Sequence, residues 1–127
     1  MTNIELYNIA MKATENSYSP YSNFKVGAAL LCKNGNLYTG CNVENISYGG
    51  TICAERTAVF KAVSSGDREF VKIAIAESND GNCTPCGFCR QVLSEFSKDG
   101  ELLVICKYNG ELREIPLKEL LPYSFTF

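Results

Sequence analysis

Two segments, Thr51-Ile52-Cys53 and Thr84-Pro85-Cys86, each place a cysteine directly behind residues that open helices. Thr is a favoured N-cap and Pro is favoured at the first helical position. Each cysteine is therefore expected in a first turn, where unpaired N–H groups and the positive end of the helix dipole lower a thiol's pKa. Cys89 follows Cys86 by three residues, which puts it on the same helical face. Three sulfurs can then converge from two helix N-termini. Thiolates in a tetrahedral arrangement suit zinc, and three protein ligands leave the fourth position for water. Glu55, two residues after Cys53, stands close enough to that position to move protons. With zinc, three thiolates and a hydroxide the site would carry two negative charges, which the neighbouring Arg56 would offset.

The rest of the composition narrows the chemistry. The chain of 127 residues contains seven cysteines and no histidine. Without imidazole, serine–histidine and cysteine–histidine nucleophile pairs and His-rich zinc sites are excluded. Any proton transfer then falls to a carboxylate, Lys, Tyr or thiol. Twelve Lys and Arg against fourteen Asp and Glu give a net charge of −2 with no basic cluster. A binder of nucleic acid normally carries a positive stripe, so a small-molecule substrate is expected and nucleic acid is not. The N-terminal residues Met1 to Glu5 lack a basic and apolar leader pattern, and no apolar run is long enough for a membrane span. A cytoplasmic address is expected, where thiols stay reduced and clustered cysteines read as metal-binding or catalytic.

Blander readings remain open on these residues alone. Cys86-x-x-Cys89 also fits a redox pair, Glu55 a solvated first-turn carboxylate, and Arg56 a surface charge. Cys83-x-x-Cys86-x-x-Cys89 resembles part of an iron–sulfur run but lacks its fourth Cys and the following Pro. With Cys53 in addition, four sulfurs would close a structural zinc site. Cys83 precedes the expected cap of its helix, however, and a structural site leaves Glu55 without a purpose.

The elements that must position these groups follow from periodicity. Thr2-x-x-Glu5 is a capping box, with a helix expected over 3–16. β-rich runs at 24–32 and 37–43 flank Lys33-Asn34-Gly35-Asn36, whose Asn-Gly pair tolerates the positive φ angles of a type I′ hairpin turn. Helices are expected over 52–64 and 85–97, strands at 71–77 and 102–108, and a last short strand after the turn Asn109-Gly110. A brief helix is expected over 117–121, ahead of an aromatic tail. Hairpins impose antiparallel pairs, and strands separated by helices imply a parallel crossover. The expectation is one α/β domain over residues 1–127, a three-layer α/β/α sandwich with a five-stranded mixed sheet.

Cys53-Ala54-Glu55 followed by Pro85-Cys86-Gly87-Phe88-Cys89 resembles the signature of the zinc-dependent cytidine deaminase family, in its three-cysteine form. The similarity continues through Asn42-Val43-Glu44-Asn45, Ser47-Tyr48-Gly49, Cys89-Arg90-Gln91-Val92 and Leu120-Leu121-Pro122, and covers essentially the whole chain. Blasticidin-type deaminases share the zinc segments, but residues 42–49 look more like the cytidine group.

The resemblance implies one Zn2+ per subunit held by Cys53, Cys86 and Cys89, with Glu55 moving protons and Arg56 offsetting thiolate charge. It implies hydrolysis of cytidine, and of deoxycytidine, to the uridine nucleoside and ammonia, in pyrimidine salvage. Asn42 and Glu44 would clamp the ribose, Phe24 would stack on the base, and Ala54 and Tyr48 would also contact substrate. It further implies a homotetramer with active sites at subunit interfaces, where Phe125 would enter a neighbour's site. The tail Tyr123-Ser124-Phe125-Thr126-Phe127 departs from the family's usual small ending, so Phe127 competes for that role.

Overall fold

The computed structural model describes residues 1–127. The capping box forms as expected: Thr2 Oγ1 accepts from the Glu5 N–H at 3.2 Å and donates to Glu5 Oε1 at 3.0 Å. It opens α1 (Asn3–Ala13), which ends in a tighter turn over Thr14–Asn16. The remaining elements are β1 (Val26–Cys32), β2 (Leu37–Cys41), α2 (Ala54–Ser64), β3 (Phe70–Glu77), α3 (Gly87–Glu95), β4 (Leu103–Tyr108), β5 (Glu111–Pro116) and α4 (Leu117–Leu120). No helix is long and apolar enough to cross a membrane.

The strands form one sheet in the order β2-β1-β3-β4-β5. β3 and β4 are the parallel pair, joined through α3, and the other three neighbouring pairs are antiparallel. This is the five-stranded mixed sheet that the element order implies. β1 lies between β2 and β3 and is buried almost throughout. A strand covered on both faces needs apolar residues at successive positions, which Val26-Gly27-Ala28-Ala29-Leu30-Leu31-Cys32 supplies.

Alternate side chains feed two cores. Ala28, Leu30, Ile73, Ile75, Val104 and Cys106 pack with Ala54, Ala58, Val59 and Ala62 of α2 and Leu93 of α3. Ala29, Ala74, Ala76 and Ile105 point the other way, against Leu6, Tyr7 and Ala10 of α1. Gly27 permits that second contact, because a Cβ there would stand 2.0 Å from the Ala10 carbonyl oxygen. The result is three layers with helices on both faces.

The two Asn-Gly turns differ. Asn109 and Gly110 both take positive φ, 51° and 80°, as a tight two-residue hairpin requires. In the β1–β2 loop only Gly35 does, at 93°, so the type I′ expectation fails there. The loop has four residues, and Asn34 serves through its side chain instead. Its Oδ1 accepts from the Asn36 N–H at 3.0 Å, and its Nδ2 donates to Asp67 at 2.8 Å. Asp67 also accepts from Asn36 Nδ2 and the Tyr38 hydroxyl, which ties the hairpin to the segment entering β3.

Candidate active site

The helix starts lie further along than the Thr residues suggest. Cys53 and Cys86 are themselves the N-caps of α2 and α3, with extended backbone (φ −76°, ψ 155° and φ −66°, ψ 166°). Cys86 Sγ accepts from the Cys89 N–H at 3.5 Å, the bond a Ser or Asp cap would make. Thr51 turns its hydroxyl instead to the Asn45 N–H at 3.2 Å. The Cys53 and Cys86 sulfurs thus stand at helix N-termini, and Cys89 joins them from the first turn of α3.

The sulfurs of Cys53, Cys86 and Cys89 all lie within 4.8 Å of one another, with Cys53 and Cys86 3.8 Å apart. Zinc about 2.3 Å from each of two sulfurs in tetrahedral geometry separates them by about 3.8 Å. Cys53 and Cys86 stand at that spacing, and Cys89 lies near enough to complete a zinc site. Cys83 is not part of it. Its sulfur lies outside the converging group, and burial, helped by the Glu55 and Glu77 charges, pushes its thiol pKa up to about 12. Cys32 and Cys106 are buried in the core on β1 and β4, and Cys41 is half-buried on β2.

Within the trio the protons are unequally held. Cys53 lies far below the usual thiol range, through hydrogen bonds from Cys89 first, and then Arg56 and Cys86. Cys89 is raised as the donor in that pair, with burial adding to the shift, so a helix N-terminus does not lower every thiol here. Arg56 Nη2 stands 3.4 Å from Cys53 Sγ. Glu55, on the first turn of α2, is 4% exposed and pushed up to about 7, mainly by burial and further by the Cys53 charge. It is not the solvated first-turn carboxylate of the blander reading.

Asn42 and Glu44 follow β2 on either side of Val43, which bridges to Tyr18 and Ile52. Both are buried and already held by the loop between α1 and β1. Asn42 Oδ1 accepts from Ser17 Oγ at 2.5 Å and the Val26 N–H at 3.0 Å, while Nδ2 donates to the Phe24 carbonyl at 2.7 Å. Glu44 accepts from the backbone N–H groups of Tyr21 and Ser22, at 2.9 and 3.1 Å, and from the Ser22 hydroxyl. These bonds hold its pKa below the usual carboxylate range, the Ser22 hydroxyl most of all. Tyr21, Ser22, Glu44, Tyr48 and Thr51 line a shallow cleft of about 370 Å³.

Ser17 and Ser22 were not singled out from the sequence. Their partners lie 25 and 22 residues away, so no local spacing marks them. Phe24 stands just outside β1 and is 45% exposed, which frees its ring from core packing. Ala54 is buried at the head of α2, and Tyr48 is exposed beside the cleft. Phe125 is not brought to the trio. It stacks edge-on with Phe127 at 5.2 Å and lines a separate cavity of about 620 Å³ between α3, α4 and the tail.

Three converging thiols spaced for zinc, with a buried carboxylate on the first turn of the same helix, define a zinc-dependent hydrolytic enzyme. The chain belongs to the cytidine and deoxycytidylate deaminase family, whose zinc-binding region matches residues 1–106. It is 47% identical over 115 residues to the cytidine deaminase of Sporosarcina psychrophila, covering 91% of this chain and 85% of that protein. The crystal structure of cytidine deaminase from Burkholderia pseudomallei superposes with a TM-score of 0.91 at 47% identity, over 98% of this chain and 100% of that one. For the enzyme from Mycobacterium tuberculosis the TM-score is 0.87 at 39% identity, over 100% and 99% of the two chains. The family's metal is zinc, and Cys53, Cys86 and Cys89 are positioned to hold it.

The exclusion of Cys83 is directly measurable. Cys83→Ala is expected to keep one equivalent of zinc per chain, whereas Cys53→Ser loses most of it. Metal analysis of the two purified variants checks this, and loss of the metal with Cys83 would favour a closed structural site.

Proposed function

We propose that the chain, acting as one catalytic domain, hydrolyses cytidine and deoxycytidine to the corresponding uridine nucleoside and ammonia. The observation that carries this reading is the convergence of the three thiols with buried Glu55 at the head of α2, in a chain of the deaminase family. When bound, zinc supplies the Lewis acidity that makes a water deprotonable near neutral pH. Glu55 takes the proton of the attacking water and delivers it to the pyrimidine ring nitrogen, while the oxygen adds to the ring carbon bearing the amine. The same carboxylate then takes the remaining proton from the added hydroxyl and passes it to the amine, which leaves as ammonia as the ring carbonyl forms. Its burial keeps that proton from exchanging with solvent.

Asn42 and Glu44 hold the sugar hydroxyls, and the loop bonds from Ser17, Tyr21 and Ser22 support this role by fixing both side chains in advance. Phe24 offers its exposed ring to the base. Ala54 opens α2, where the first backbone N–H groups lack an intrahelical acceptor and suit a base carbonyl. Tyr48 borders the sugar end of the cleft. Arg56 balances thiolate charge. The exposed tail supports a homotetramer with sites at subunit interfaces, in which Phe125 or Phe127 reaches a neighbouring site.

Incubating the zinc-loaded protein with cytidine should release uridine and ammonia in equal amounts. Failure to turn over cytidine, with another aminopyrimidine nucleoside deaminated instead, would keep the chemistry and replace the substrate. No deamination of any nucleoside by zinc-replete protein would overturn the reading.

A further inference from the structure

Phe88 lies between two of the zinc-ligating cysteines, in Cys86-Gly87-Phe88-Cys89, yet it belongs to no core and is 65% exposed. A large aromatic side chain left in water at this place calls for a partner, and the structure supplies one. The guanidinium carbon of Arg56 stands 4.1 Å from the centre of the Phe88 ring, well inside the range of a cation–π stack. The same guanidinium reaches Cys53 Sγ through Nη2 at 3.4 Å, and its Nε is buried without any hydrogen-bond partner. On the site side Arg56 is thus held against the sulfurs of Cys53 and Cys89 and by the ring.

We propose that Phe88 is a positioning residue of the zinc centre, clamping the Arg56 guanidinium against the thiolates and so slowing the loss of zinc. Three thiolates outweigh a divalent cation by one charge, and Arg56 is the cation within reach of Cys53. A guanidinium free to swing into water would be screened and would stabilise the thiolates little. Covering one of its faces with an aromatic ring removes that option and strengthens its attraction to the sulfurs by lowering the local dielectric.

The connection matters as well. Arg56 rides on α2 with Cys53, whereas Phe88 rides on α3 with Cys89, so the stack ties together the two helices that deliver the ligands.

The inference rests on the reading of Cys53, Cys86 and Cys89 as the zinc ligands. Its test uses full-length, zinc-loaded protein in which Phe88 is replaced by 4-fluoro-, 3,5-difluoro- and 3,4,5-trifluorophenylalanine. These rings keep nearly the same shape while their negative face is progressively drained. The readout is the rate at which zinc passes to a chromogenic chelator, with zinc per chain and thermal melting measured on each protein. We expect unchanged melting and a rate that climbs step by step along the series. Phe88→Leu should be about two- to fivefold faster than the wild type, the range expected for an exposed cation–π contact. Phe88→Trp should be no faster than the wild type.

A flat series, or a Phe88→Leu protein that releases zinc at the wild-type rate while holding a full equivalent, would overturn the clamp and leave the zinc site standing. A wild type that takes up no zinc would overturn the ligand reading and the clamp with it.

Discussion

Replacing Glu55 with Gln is expected to lower kcat by about 10³- to 10⁴-fold while leaving one zinc per chain and a nearly unchanged KM for cytidine. The size of the effect follows from the number of proton transfers assigned to one carboxylate. A positioned acid or base typically contributes about 10²- to 10⁴-fold, and in the proposed mechanism the same group serves at both the water and the leaving amine. An amide of the same shape can do neither. The sulfurs of Cys53, Cys86 and Cys89 are untouched by the change, so metal content should hold. The fold should not suffer, because Glu55 is 4% exposed and a neutral amide avoids placing a charge there. The Tm is therefore expected to match or exceed that of the wild type. Steady-state kinetics, metal analysis and a thermal melt on the one variant check all three statements. Activity retained within tenfold would remove Glu55 from its role, and zinc lost with the carboxylate would make it a ligand instead.

The second large effect is expected at a residue with no chemistry. Gly40 on β2 faces α2 so closely that an added Cβ would lie 2.5 Å from the Ala54 carbonyl oxygen and 2.6 Å from the Ala58 nitrogen. Both are backbone atoms, so the helix as a whole must move. α2 carries Glu55 on its first turn and Cys53 as its cap. Overpacking of this kind costs roughly 1–3 kcal/mol. A displacement of about 1 Å at reacting groups can cost about 10²-fold in rate. Gly40→Ala is therefore expected to lose stability in that range, to hold zinc less tightly and to drop kcat/KM by about 10²-fold. A denaturant melt and kinetics at saturating zinc measure these together. A variant with wild-type stability and activity would show that α2 does not rest on β2 as described.

Much of this arrangement was legible because it is local. The Thr2 and Glu5 side chains meet across one turn, so the capping box could be read and is found. Alternating and continuous apolar runs mark the five strands, and the helices appear within a few residues of where periodicity puts them. Those few residues matter at the site. Thr51 and Thr84 have good capping propensity, but the caps are Cys53 and Cys86. Propensity ranks side chains one at a time, whereas the choice of cap depends on where the helix must start for its thiol to meet the others. The β1–β2 loop teaches the same lesson: Asn34 permits positive φ, but its bonds to Asn36 and Asp67 select another conformation.

The residue types and their short spacings set the chemistry on offer. The chain carries no histidine, it places three cysteines and a glutamate at helix starts, and its charge balance is unsuited to nucleic acid. Residue type and short spacing set ligand softness, proton capacity and helical phase, and these need no tertiary partner to be read. Tertiary structure supplied the meeting itself: the three cysteines expected from their helix starts converge, Cys53 and Cys86, 33 residues apart, coming to 3.8 Å through the packing of α2 and α3 on one sheet face, while Cys83 stays outside the group. It also decided that Ser17 and Ser22 hold Asn42 and Glu44, and that Phe88 covers Arg56. Such contacts arise where separate elements cross a shared core, and their geometry depends on the volume and direction of every side chain between them rather than on any pattern along the chain.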